Sequence, residues 1–80
     1  MQVGQKLHEI VELFERCGIA ESRLKAEYLL SRVLKCHRLE LPLWQDRELT
    51  HREVEQLAVQ TGRIVAGEPI QYVLGDVEFM

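Results

Sequence analysis

The sequence predicts an all-α fold: a small bundle of three main helices with short helical turns, and the start of a linker β-strand at the C-terminus. Apolar residues recur at three- and four-residue steps, helix start and stop signals flank those segments, and the 80 residues are 46% hydrophobic. A chain this short buries one modest core and has no room for a deep cofactor cleft. Length therefore favours binding or scaffolding over self-contained catalysis.

The first predicted helix runs from Val3 to Cys17. Its polar residues fall on the face opposite to the apolar ones, which is typical of an amphipathic helix. Gly18 ends it, since glycine readily adopts the left-handed backbone that stops many helices. The apolar residues of this helix are Val3, Leu7, Ile10, Val11, Phe14 and Cys17.

The second predicted helix begins with Ser22 as its N-cap and runs to about Cys36. Its main apolar stripe contains Ala26, Leu29, Leu30, Val33 and Leu34. A smaller apolar strip, Leu24 and Tyr28, lies on the other face among basic residues. Either a neighbouring helix of the bundle covers this strip, or the strip is a docking surface with basic edges.

The third main helix follows a short apolar turn at residues 38–44. We expect Leu39, Leu43 and Trp44 to close one end of the core there. Thr50 and Glu53 have the spacing of a capping box, in which each residue satisfies the other's backbone N–H, and they predict where the helix begins. Gly62 lies inside this helix, and a close approach of a second helix would account for it.

The C-terminal segment predicts a short helix from Pro69 to Gly75 after a stop at Gly67. Residues 76–80 then alternate, with Val77 and Phe79 on one side, as at the start of a strand. A strand of this length needs partners, which we expect beyond Met80. We therefore divide the chain into a helical domain at 1–75 and the start of a linker hairpin at 76–80.

Composition and motif content exclude several classes of function. The formal charge of −3 and the acidic second half disfavour a nucleic-acid-binding bundle. The sequence has neither a membrane-spanning run nor a signal peptide, so we expect a cytoplasmic protein. Cys17 and Cys36 are expected to be buried or half-buried free thiols. We assign no catalytic, cofactor-binding or metal-binding residue, because no nucleophile–base pair, glycine-rich loop or metal-ligand spacing is present.

Two sequence segments carry a resemblance to a known family. Residues 67–75 read GEPIQYVLG and are followed by VEFM at 77–80, while SRLKAEYLL stands at 22–30. These segments closely resemble the N-terminal domain of the HemK/PrmC family, methyltransferases that modify a glutamine side-chain amide in peptide chain release factors. The match covers essentially the whole chain.

The resemblance implies a two-domain enzyme in which a small helical bundle and a β-hairpin linker precede an S-adenosylmethionine-binding domain. That domain would begin after Met80, since neither the family's glycine-rich loop nor its Asn-Pro-Pro-Tyr motif occurs here. The fragment alone is expected to be catalytically silent and to bind no cofactor. Its expected partners are the release factor and its own catalytic domain.

The resemblance and the charge pattern together suggest roles for two groups of residues. We expect the bundle to help dock the release factor through Arg23, Lys25, Tyr28, Arg32 and Lys35. We expect the interdomain linker to be set by Glu68, Pro69, Gln71, Tyr72 and Phe79. The alternative is a free-standing helical adaptor that binds an amphipathic partner helix through Leu24 and Tyr28.

Overall fold

The computed structural model of the chain describes residues 1–75, and these residues are predominantly helical. The elements are α1 (Val3–Arg16), α2 (Ser22–Leu34), a 3₁₀ turn (Arg38–Glu40), α3 (Leu41–Trp44), α4 (His51–Val65) and α5 (Ile70–Gly75). The prediction of an all-α bundle with three main helices and short helical turns is confirmed. The predicted strand at 76–80 lies outside the described residues.

Helix α2 is the centre of the bundle, because it packs against α1, the 3₁₀ turn, α3, α4 and α5. Its buried side chains meet those of α1 and α4 in one apolar cluster. The largest fully enclosed side chains are Val3, Ile10, Phe14, Leu29, Leu30 and Leu57. Arg23 and Tyr28 are the exposed residues of α2.

Helices α1 and α4 both end where glycine adopts a left-handed backbone. Gly18 has φ +74° and Gly67 has φ +109°. The amide of Ile19 donates to the carbonyl of Phe14, five residues earlier, at 2.9 Å. This is the six-to-one hydrogen bond of a Schellman motif. Both predicted stops are therefore confirmed.

Helix α2 ends with the same motif, but the left-handed residue is Lys35, at φ +59°. The amide of Cys36 donates to the carbonyl of Ser31 at 3.0 Å. A side chain costs roughly 1 kcal/mol in this backbone region, where glycine costs little. The non-glycine stop also makes α2 end at Leu34, before the predicted position near Cys36.

The starts of α2 and α4 differ. The predicted N-cap Ser22 is wrong: Ser22 is the first helical residue, and Glu21 precedes it at φ +53° without a side-chain cap. The capping box of Thr50 and Glu53 is confirmed, with reciprocal bonds of 3.1 and 2.9 Å. Arg47 adds two bonds to the Glu53 carboxylate, at 3.1 and 3.2 Å. The start of α4 is therefore held by an ion pair as well as a cap.

The beginning of the chain is bonded to the segment before α4. The amide of Leu49 donates to the carbonyl of Met1 at 2.9 Å, and the amide of Gly4 donates to the carbonyl of Gln45 at 2.9 Å. A Cβ at Gly4 would lie only 3.1 Å from the Gln45 Cβ. The close approach that requires glycine is thus at Gly4, between α1 and the end of α3.

The predicted close approach at Gly62 is wrong. Gly62 is exposed, and a Cβ there would meet nothing within 4 Å. Gly62→Ala should therefore raise the free energy of unfolding by about 0.5–1 kcal/mol, because alanine favours the helix and restricts the unfolded chain. Urea denaturation measures the change. Gly4→Ala is the matched control, and a gain of equal size there would contradict the contact with Gln45.

The apolar turn at 38–44 packs differently from the prediction. Leu39 and Leu43 were expected in the core, but 70% and 84% of their surfaces are exposed. Leu41, between them, is the buried residue at 4%. Trp44 is half-buried against the core, beneath the guanidinium of Arg47 at 5.5 Å. Because residues 38–44 are helical, Leu39 and Leu43 share one face and Leu41 lies on another.

Both cysteines are free thiols, as predicted, although Cys17 is exposed while Cys36 is half-buried. Within residues 1–75, no helix is both long and apolar enough to cross a bilayer.

Candidate docking surface

The basic residues predicted on α2 are divided between two sides of the helix. Tyr28, Arg32 and Lys35 line one groove. Arg23 lines a different cleft, between α1, α2 and α3, where its Nε lies 3.2 Å from Glu27. Lys25 is half-buried and lines neither. The predicted strip is therefore not one surface. Three of its five residues share one groove, and the other two lie outside it.

A groove forms where α2 meets the turn that follows it, and we call it the basic groove. Three cationic side chains stand in its wall: Arg32 from α2, Lys35 from the position just after it, and Arg38 from the 3₁₀ turn. None of its described lining residues is acidic, although the whole chain has a net charge of −3. The lining residues are Tyr28, Ser31, Arg32, Lys35, Cys36, His37 and Arg38.

Arg38 is a member of the basic groove that the site prediction missed. Its guanidinium lies 5.4 Å from the centre of the Tyr28 ring and 2.9 Å from Glu27 Oε1. These two contacts hold the side chain between α2 and the turn, which fixes one cation at the rim. The place of Arg38 beside Tyr28 depends on how the chain reverses after α2, which short-range sequence patterns do not show.

Two exposed leucines follow Arg38 along the chain, and together they form what we call the leucine ridge, Leu39 and Leu43. The turn that carries them is fixed locally: His37 Nδ1 accepts from the Leu39 amide at 3.1 Å, and the His37 amide donates to Glu40 at 3.1 Å. Buried Leu41 anchors the same turn from below. The turn therefore holds two exposed leucines in place at the surface.

The residues predicted at the linker lie at the other end of the chain. The Arg63 guanidinium donates to the Glu68 carboxylate at 2.8 Å. The carbonyl of Pro69 accepts from the Tyr72 amide at 3.0 Å, and this bond forms the first turn of α5. Gln71 and Tyr72 are exposed on α5, while Val73 is buried and Ile70 packs against the core. The predicted linker residue Phe79 lies outside the described residues.

Metal ligands and a half-buried thiol are the chemical groups of interest in the described part of the chain. No group of acidic, histidine and cysteine side chains there could hold a metal ion. Burial raises the pKa of the Cys36 thiol, and nearby Glu40 adds to the effect. A raised thiol pKa leaves little thiolate at neutral pH, so Cys36 is a poor nucleophile.

A protein-family model described as the PrmC N-terminal domain matches residues 5–75. The chain belongs to this family. The resemblance predicted from residues 22–30 and 67–80 is thereby confirmed, together with a helical bundle as its fold.

The curated relatives of this PrmC N-terminal domain are named release factor glutamine methyltransferases. The one from Chlorobaculum tepidum is 37% identical over 96% of the chain, and the one from Buchnera aphidicola is 33% identical over 99%. The chain spans 26% and 28% of their lengths, about a quarter of each. No solved structure gives a significant match.

The methyltransferase names imply a methyl donor, S-adenosylmethionine, for the longer relatives. Nucleotide-like cofactors are commonly held where clustered glycines let the backbone approach the ligand. Here Gly4, Gly18, Gly62 and Gly67 form no glycine-rich loop, since the two nearest in sequence, Gly62 and Gly67, are five residues apart. A Cβ would meet open space at Gly18, Gly62 and Gly67. The described residues of this PrmC N-terminal domain do not fit that cofactor, and no chemical step is assigned to them.

Proposed function

We propose that the chain is the substrate-docking domain of a cytoplasmic enzyme that methylates a glutamine side-chain amide of peptide chain release factors. The observation that carries the proposal is the family match over residues 5–75 combined with relatives about four times as long. A domain of this size without a cofactor cradle is suited to hold a protein substrate. The methyl transfer, with S-adenosylmethionine, belongs to the remaining part of such an enzyme.

Docking by a separate domain has a physical advantage when the substrate is a whole protein. Contacts far from the reacting atom supply orientation that a small catalytic pocket cannot. The basic groove is the part of this domain best suited to the task, since its cations are exposed or half-buried and lie along one depression.

The C-terminal end of the domain has a second proposed role. Residues 1–75 form the docking unit and 76–80 begin the linker, so that Glu68, Pro69, Gln71, Tyr72 and Phe79 set the direction of the catalytic part. Buried Val73 and the Arg63–Glu68 ion pair support this role, because they fix α5 on the bundle.

A chimera tests the docking role. In the Chlorobaculum tepidum relative, deletion of the matched quarter should lower kcat/KM for a whole release factor by about tenfold or more, mainly through KM. Insertion of this chain in its place should restore most of that loss. Steady-state methylation rates at varied release factor concentration give both constants.

The matched control is a short peptide that carries only the target glutamine and its neighbours. Its kcat/KM should change less than about twofold on deletion, because it makes no remote contacts. Equal losses for peptide and protein would mean that deletion damages the catalytic part, and unchanged rates for both would refute docking.

A further inference from the structure

Resting on the proposed function, we propose that the basic groove and the leucine ridge form one docking surface, which binds an acidic segment of the release factor that also carries apolar side chains. The release factor supplies carboxylates to the groove and apolar side chains to the ridge. This names the chemistry of the docked segment and adds Arg38, Leu39 and Leu43 to the residues that bind it.

Charge complementarity indicates the acidic character of the segment. Arg32, Lys35 and Arg38 surround a depression whose described lining contains no carboxylate. Arg38 also pairs with Glu27, which lines the cleft on the other side of α2 and pairs with Arg23 there. Like charges side by side repel each other, so a segment with several carboxylates gains more here than a neutral one.

The leucine ridge indicates the apolar part of the segment. Leu39 and Leu43 have larger exposed fractions than any other large apolar side chain in the described part of the chain. Surface leucines on a mobile loop would lose entropy on binding. These two are held by the His37 capping bonds, by Pro42 and by buried Leu41. A fixed apolar side chain can fill a partner's pocket with little ordering cost.

Continuity along the chain joins the two parts. Arg38 stands in the groove wall and begins the 3₁₀ turn, and Leu39 is the next residue. The contact of Arg38 with Tyr28 connects α2 to the turn, which holds the groove and the ridge together. A bound segment can therefore contact the cations and the leucines together.

A nuclear magnetic resonance titration tests the proposal with the 80-residue chain itself. The ¹⁵N-labelled chain is titrated with the release factor encoded by the same genome, at 50 and 300 mM NaCl. Amide signals of Arg32, Lys35, Leu39 and Leu43 should shift or broaden first, and the dissociation constant should rise at least threefold with salt, about what loss of two or three charge contacts gives.

Two double variants, each with a matched control, separate the apolar and the charged contributions to binding. Leu39→Ala with Leu43→Ala should weaken binding about tenfold, whereas Val59→Ala with Val65→Ala, which trims exposed valines on α4, should change it less than about twofold. Arg32→Gln with Lys35→Gln should weaken binding and remove most of its salt dependence. Arg16→Gln with Arg52→Gln changes net charge equally and should leave that dependence intact. Thermal melting confirms that each variant is folded.

The outcomes distinguish this inference from the proposed function. Strong binding that is lost in the valine pair and kept in the leucine pair would overturn the docking surface while leaving the docking role in place. Salt-independent binding would overturn the acidic character of the segment. A chain that shows no binding at millimolar concentrations would overturn both proposals.

Discussion

Replacing Leu41 with alanine should lower the free energy of unfolding by about 2–4 kcal/mol. Leu41 is 4% exposed and is the buried anchor of the turn between α2 and α4. Truncation removes its apolar contacts and leaves a cavity beneath the 3₁₀ turn, because the surrounding helices cannot close fully around it. Urea denaturation followed by circular dichroism gives the loss directly.

The neighbouring leucines are the controls for this prediction. Leu39→Ala and Leu43→Ala should each change stability by no more than about 0.5 kcal/mol, since most of each side chain is already in water. Three leucines at alternate positions would then differ greatly in their effects. Equal losses at all three positions would contradict the packing of this turn.

Glu53→Gln should lower the free energy of unfolding by about 1–2 kcal/mol at neutral pH. The carboxylate accepts two bonds from Arg47 and one from the Thr50 amide at the start of α4. The bonds from Arg47 are the main cause of a lowered Glu53 pKa. Glutamine keeps the shape but loses the charge that strengthens these bonds and interacts favourably with the helix N-terminus.

The loss should also depend on pH. Because folding lowers the Glu53 pKa, its stabilising effect is fully present above the ordinary glutamate value of about 4.3 and disappears as pH falls through the lowered folded value. The difference between wild type and Glu53→Gln should therefore shrink between about pH 5 and pH 3. Denaturation curves at several pH values across this range measure it.

The exposed neighbour Glu55 provides the comparison. Within residues 1–75 its ion pair is with the exposed His51 at 3.0 Å, so Glu55→Gln should change stability by less than about 0.5 kcal/mol. A difference for Glu53→Gln that stays constant down to pH 3 would show that the charge contributes nothing at this helix start.

Features that depend on a few consecutive residues could be predicted from the sequence. The Thr50–Glu53 capping box acts across one helical turn, and Gly18 and Gly67 stop helices through their own backbone freedom. Position 35 shows the limit, because nothing in a lysine indicates that it will adopt a left-handed backbone. The backbone there is instead tied by the hydrogen bond from the Cys36 amide to the Ser31 carbonyl at 3.0 Å.

Features that depend on distant residues could not be predicted. The close approach was predicted at Gly62, yet of the two glycines it is Gly4 that faces another segment, at Gln45 far along the chain. The place of Arg38 beside Tyr28 likewise depends on the reversal after α2. Leu39 and Leu43 were predicted as core because a seven-residue apolar turn contains too few periods to show which face is buried.

The left-handed backbone at Lys35 places two opposed demands on one position. Glycine at position 35 would relieve the backbone and give a more stable helix end, but it would also remove a cation from the basic groove. Lys35→Gly would therefore exchange one positive charge of the groove for a better backbone fit at the helix end. The basic groove thus contains a cation whose backbone lies in a region that costs a non-glycine residue roughly 1 kcal/mol.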